Sequence, residues 1–149
     1  MGKKLSSVYW QMIVFSILQP KNLYALIFGI GTDIIEVERI EKQLGSVRGL
    51  REKLFTPGEI AYCEPKRNKA QHYAARFAAK EAFLKAIGTG WRDGLQFNEI
   101  EVSNDELGKP TLVLYGKTRE FVDSIHITNI QVSLSHIRDM VNAIVIVEK

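Results

Sequence analysis

The stretch "RFAAKEAFLKAIGTG", residues 76–90, constrains the fold more than any other part of the chain. Its spacing predicts three turns of helix and then Gly-x-Gly, within a longer helix running roughly from Lys69 to Ile87. A surface helix sets a polar face opposite an apolar stripe, and no clean division exists here. At about 100° per residue, Phe77, Phe83, Leu84 and Ile87 share one broad arc. Ala75, Ala78, Ala79, Ala82 and Ala86 fill much of the rest, with Arg76, Lys80, Glu81 and Lys85 inside or at the edges of these arcs. The helix reads as buried, and its four charges raise the question of what they meet.

A chain of 149 residues holds one domain with a real core and is too short for two of ordinary size. The single Cys63 cannot form an internal disulfide, which fits a reducing, cytoplasmic setting, and it lacks any nearby metal-ligand spacing. Residues 1–26 carry Lys3, Lys4 and Lys21 and no acid, so the net charge of +3 resides there. The remaining chain balances 17 basic against 17 acidic residues, which argues against a general nucleic-acid surface. A local basic bias remains in Arg39, Lys42, Arg48, Arg51 and Lys53, set against Glu41 and Glu52. Such a patch suits an acidic protein partner, although an ordinary solvated helix and loop is the plainer reading of charge alone.

The first 25 residues stand apart. Two lysines precede an apolar run from Val8 to Leu18, which resembles a weak secretory signal. Gln11 and Ser16 interrupt the run, which is too short to span a bilayer, and no small-x-small cleavage site follows. A misread upstream start is ranked first, ahead of an extra strand or an interfacial helix. No membrane partner is expected, and the domain proper is placed at 26–149.

Along that domain, "LIFGIGTDII" (26–35) is a β-rich apolar run whose Gly29 and Gly31 suggest a bulge or a close backbone approach. "EVERIEKQLG" (36–45) has helical spacing, with Gly45 as its C-cap. "TPGEIAYCEP" (56–65) starts with Thr56 as N-cap, Pro57 at the first helical position and Glu59 three residues on. Two strands around a polar turn are expected in 97–116, a short amphipathic helix in 117–125, and a closing hairpin from Ile130 through the turn "RDM" to Lys149. This mixture argues for an α+β fold, an antiparallel sheet packed against the long central helix.

Asp33 ends an apolar strand, where a carboxylate is costly unless paired or bound to a metal; capping the next helix is its alternative role. Glu81 is the second misplaced carboxylate, its alternative an i,i+4 pair with Lys85. Two carboxylates from different elements beside several cations suggest a divalent, oxygen-ligated ion holding phosphates, as Mg²⁺ does. Arg76, Lys80 and Lys85 would then neutralise phosphate, Lys80 touching phosphate or simply reaching solvent. Gly88-x-Gly90 would let backbone come close to a ligand, or serve only as the helix cap. His136 ends an alternating strand, where a structural role is the commoner one.

"FGIGTDIIEVERI", "LFTPGE", "YAARFAAKEAFLKAIGTG", "GKP" and "VSLSH" occur in this order. In them the chain resembles the holo-acyl-carrier-protein synthase group of 4′-phosphopantetheinyl transferases over residues 26–149. Members of that group begin near Leu26. The resemblance implies transfer of phosphopantetheine from coenzyme A, as substrate, to a serine of apo acyl carrier protein, for fatty acid biosynthesis. It implies Asp33 and Glu81 as Mg²⁺ ligands and Lys85 on the pyrophosphate. Arg76 and His136 match positions that hold coenzyme A phosphates, and Gly88, Pro110 and Thr111 match positions lining the nucleotide. Arg39 matches a basic position that meets the acidic carrier protein, with Arg48 and Arg51 in the same patch. Leu84 stands where many relatives carry a small or hydroxyl side chain. A homotrimer with active sites between subunits is also implied, in which Arg76 and His136 serve a neighbour's Asp33 and Glu81.

Phosphoryl transfer asks for positioning and charge neutralisation more than covalent catalysis. The serine must lose a proton, to Glu81 or to a metal-bound water. A non-catalytic module binding a carrier protein or nucleotide would keep the basic patch but have no need of Asp33 and Glu81 together. A Mg²⁺-dependent phosphohydrolase would use the same ligands and leave the patch unexplained.

Overall fold

The structure is a computed structural model that describes residues 26–90, 92 and 94–149; the extension 1–25, with its expected misread start or signal-like run, lies outside the described residues. Strand β1 (Ile27–Glu36) forms from the apolar run and pairs antiparallel with β5 (Met140–Glu148), which pairs with β4 (Asn129–His136) in the order β1-β5-β4. Side chains alternate across this sheet. Val141, Ala143, Val145 and Val147 of β5 are buried on one face, in register with Ile35, Asp33, Gly31 and Gly29 of β1. The long helix α4 (Lys69–Ala86) lies across that face.

Both readings of the β1 glycines hold. The register slips between Ile27 and Gly29. A Cβ on Gly31 would collide with the Ala82 carbonyl, and one on Gly29 with the Ala86 carbonyl. Strand and helix therefore touch backbone to backbone, with alanines on the helix side. The inner face also buries Phe83 and Leu84 of α4 with Phe55, Tyr73, Phe97 and Ile100. Each such side chain contributes about 1.5–3 kcal/mol when fully buried.

Between β1 and α4 lie three short helices: α1 (Val37–Ser46), α2 (Leu50–Leu54) and α3 (Pro57–Cys63). The N-cap of helix α1 is Glu36, whose side chain makes no cap bond, so Asp33 is not its cap. The expected Gly45 cap is corrected: the helix runs through Ser46, and extended Val47 ends it with its N–H on Gln43 O. Helix α2 lacked a sequence signal because its five residues are too few to show periodicity. Helix α3 carries the expected capping box: Thr56 Oγ1 accepts the Glu59 N–H, and the Glu59 carboxylate accepts the Thr56 N–H.

A single 3₁₀ turn at Phe97–Glu99 leads into β2 (Ile100–Asn104), which pairs with β3 (Pro110–Leu114) as a second, two-stranded sheet. Helix α5 (Gly116–Ser124) follows. Among the described residues, no helix packs on the outer face of the β1-β5-β4 sheet. Ile30, Ile34 and Ile144 are 62%, 61% and 44% exposed there. Among the described residues no helix is long and apolar enough to cross a membrane.

Candidate active site

Side chains two apart on a strand share a face, so Asp33 follows Gly29 and Gly31 on the side that α4 covers. The glycines bring the helix close at Ala82 and Ala86, and the residues beside those alanines, Glu81 and Lys85, come to Asp33. Lys85 Nζ donates to Asp33 Oδ1 at 2.7 Å and to the Thr32 carbonyl at 3.0 Å. Lys85 thus ties helix to strand rather than pairing with Glu81 along the helix.

Burial raises the Glu81 carboxyl above the usual carboxylate range, and the Asp33 charge pushes it the same way; Lys85 and Arg39 pull against them. Two carboxylates from different elements repel each other here, with Lys85 bonded to Asp33 and the Arg39 charge nearby. Added positive charge would relieve that repulsion. The donors are all oxygen, and no group of three His, Cys, Asp or Glu suited to a metal forms among the described residues. That set fits a hard ion such as Mg²⁺, which takes one or two carboxylates and completes its shell with water and phosphate.

A second cluster surrounds Arg76, only 4% exposed. Its guanidinium lies 4.1 Å from the centre of the Tyr62 ring, Nη1 donates to the His72 carbonyl at 3.4 Å, and Nε has no partner among the described residues. Lys66 Nζ also lies over Tyr62, and His72 meets that ring edge-on. Burial pushes the His72 imidazole below its ordinary value, and Arg76, Lys66 and His136 push it further. His136 is exposed at the end of β4, opposite Val141. A buried guanidinium with an unspent donor among further cations is suited to an anion. Sequence reasoning found Arg76 and His136 but missed Tyr62, Lys66 and His72. The i,i+4 spacing of His72 and Arg76 on a predicted helix was the available signal.

Gly88 caps α4 in the left-handed region (φ 78°), donating to the Lys85 carbonyl. Gly90 is also left-handed (φ 59°), and among the described residues nothing stands where either Cβ would. Capping and ligand approach are therefore compatible. Pro110 and Thr111 begin β3, half-buried and paired with Asn104 and Ser103. Leu84 is buried in the core.

The basic patch divides. Arg39 is exposed on the first turns of α1 and near enough for its charge to be felt at Glu81. Arg48 is exposed on the loop after α1, where it lines a cavity of about 800 Å³ together with Arg51 and Tyr73. Arg51 is engaged internally, by Glu64 and Glu52, each at 2.8 Å. Glu64 also accepts from Tyr73 and Lys69, and the three donors hold its carboxyl at about 2.

The expectation for Lys80 is corrected. It reaches neither phosphate nor solvent: its side chain is fully buried and donates to Glu59 Oε2 (2.6 Å), Leu54 O (2.6 Å) and Phe97 O (2.9 Å). Burial lowers the ammonium to about 8, against the Glu59 carboxylate that favours its charge. Glu59 lies 21 residues away on α3, too far for any local pattern to announce the pair.

Residues 29–137 match the sequence model of the 4′-phosphopantetheinyl transferase superfamily. A holo-[acyl-carrier-protein] synthase of a Geobacter species is 47% identical over 125 residues, 83% of this chain and all of the relative. Among solved structures, the holo-[acyl-carrier-protein] synthase of Neisseria meningitidis superposes with a TM-score of 0.78 at 34% identity, covering 83% of this chain and 100% of the other. The Bacillus anthracis enzyme, described as a complex with CoA (3′,5′-ADP), gives 0.70 at 36% identity, covering 84% and 99%. By the extent of these matches, the chain belongs to the 4′-phosphopantetheinyl transferase superfamily.

Proposed function

We propose that the protein transfers 4′-phosphopantetheine from coenzyme A to a serine hydroxyl of an apo acyl carrier protein, giving holo carrier protein and adenosine 3′,5′-bisphosphate for fatty acid biosynthesis. The observation that carries this reading is the crossing at which Lys85 bridges to Asp33 beside a half-buried Glu81. The names of the relatives point the same way. In the transfer, the serine oxygen bonds to the phosphorus that carries pantetheine, and the bond from that phosphorus to the bisphosphate breaks.

Asp33 and Glu81 would hold Mg²⁺, which when bound neutralises charge on the pyrophosphate. Lys85 donates to the departing phosphate, exchanging its present bond to Asp33 for one to the ligand. The serine proton goes to Glu81 or to a metal-bound water. The cations around Arg76 and His136 hold the phosphates of coenzyme A, and Gly88, Pro110 and Thr111 line its nucleotide. Arg39, with Arg48 and Arg51 beyond it, meets the acidic carrier protein.

The apolar face at Ile30, Ile34 and Ile144, uncovered among the described residues, supports a homotrimer in which copies of the chain cover one another. Sites would then lie between subunits, Arg76 and His136 of one chain serving Asp33 and Glu81 of the next. Residues 26–149 form the transferase domain, acting in the cytoplasm without nucleic acid or membrane.

Incubation with coenzyme A, Mg²⁺ and an apo carrier protein tests the reading. A carrier mass gain of one phosphopantetheine is expected, and no gain overturns transfer. Bisphosphate release without carrier would establish hydrolysis instead. Light scattering tests the trimer.

A further inference from the structure

Lys80 and Glu81 are neighbours on α4, yet only Glu81 belongs to the proposed site. The Lys80 ammonium has three N–H donors, and each has an acceptor from a different segment: Leu54 O at the end of α2, Glu59 Oε2 on α3, and Phe97 O in the 3₁₀ turn. Those acceptors are themselves held. The Glu59 carboxylate accepts the N–H groups of Thr56 and Val102, both at 2.9 Å, and Thr56 Oγ1 donates to Glu101 at 2.6 Å. The lysine head is fixed in three dimensions by a network that reaches into β2.

The opposite side of α4 carries a lighter tie, the single exposed Lys85 reaching Asp33 and the Thr32 carbonyl near the end of the helix. Against Gly29 and Gly31 the helix meets bare backbone, so β1 offers no side-chain ridge there to oppose rolling, and the β5 valines buried beside it are apolar and make no directional bond. Side chains lie about 5–6 Å from a helix axis, so a roll of about 20° carries the Glu81 carboxylate about 2 Å past Asp33. An apolar residue at position 80 would fill the same volume with no directional bond.

We propose that Lys80 is a positioning residue: its buried three-bond clamp sets the rotation of α4 about its axis, and so the facing of Glu81 and Lys85 toward Asp33. This rests on the reading of Asp33, Glu81 and Lys85 as the transfer machinery.

The test compares wild type with Lys80→Met, Glu59→Gln and Glu81→Gln, each assayed well below its own melting temperature. Lys80→Met and Glu59→Gln are expected to lower kcat by about 10- to 100-fold, with KM for coenzyme A and carrier protein changed less than about twofold. Half-saturating Mg²⁺ is expected to rise by about 10-fold or more. Glu59→Gln keeps the size of the side chain and an acceptor for Lys80, and carries the test if Lys80→Met does not fold. Folded variants that melt earlier yet keep wild-type kcat and Mg²⁺ dependence overturn the proposal. An inactive Glu81→Gln beside fully active clamp variants rejects the clamp alone; an active Glu81→Gln rejects the site reading and the clamp with it.

Discussion

Two groups of charges on one helix, a single residue apart, meet opposite environments. At Lys80 every donor is spent: a buried ammonium faces a buried carboxylate and two carbonyls, and the carboxylate has backbone donors of its own. At Glu81 the account is left open, since a half-buried carboxylate faces another carboxylate and one shared lysine. Buried charge is tolerated when its hydrogen bonds are complete. A charge kept in place without that completion is the better candidate for chemistry.

The comparison predicts opposite responses to mutation. Asp33→Ala or Glu81→Gln is expected to reduce transfer by about 10³- to 10⁴-fold, roughly 4–5 kcal/mol in the barrier. Glu81→Gln removes a like charge from beside Asp33, so its melting temperature is expected to equal or exceed that of wild type. Carrier mass gain and thermal melts check both halves, and a large loss of stability in Glu81→Gln would break the contrast.

Glu59→Ala does the reverse. It leaves the Lys80 ammonium buried without its carboxylate, at an expected cost of about 3–5 kcal/mol of folding stability, measured by urea denaturation. Gly31→Ala comes next. Its Cβ would meet the Ala82 carbonyl, forcing strand and helix apart for about 1–3 kcal/mol and lowering transfer through the separation of Asp33 from Glu81.

The smallest effect concerns pH at the Arg76 cluster. The fold disfavours the His72 imidazolium, so as pH falls below the ordinary value of 6.5 the unfolded chain takes up the proton first and stability is lost. Bound phosphate reverses the sign by favouring the charged ring. Coenzyme A is therefore expected to bind a few-fold more tightly at pH 6 than at pH 8, with proton uptake on binding. Titration calorimetry in two buffers measures it, and His72→Gln should flatten the dependence.

Much of this arrangement was legible in the sequence because its signals are local. Thr56-Pro57-x-Glu59 announces a capping box within four residues, and Gly29-x-Gly31-x-Asp33 announces one face of one strand. Asp33 and Glu81 could be singled out because each is a carboxylate in an apolar segment. What stayed hidden depends on contacts far apart in sequence. Glu59 looked finished as a capping residue, and nothing local says that the same carboxylate also holds Lys80 and the Val102 N–H. Tyr62 escaped for a similar reason, since its ring matters only once α3 lies beside Arg76.

The backbone contact between β1 and α4 has one more consequence. Because no side chain fills the layer between Gly31 and Ala82, no side-chain volume there sets the spacing of Asp33 from Glu81. The closeness of α4 to β1 at this point is therefore set by backbone contact, and the rotation of the helix by the Lys80 clamp. The approach of strand to helix there rests on two glycines and two alanines, and any side chain added at Gly29 or Gly31 would push them apart.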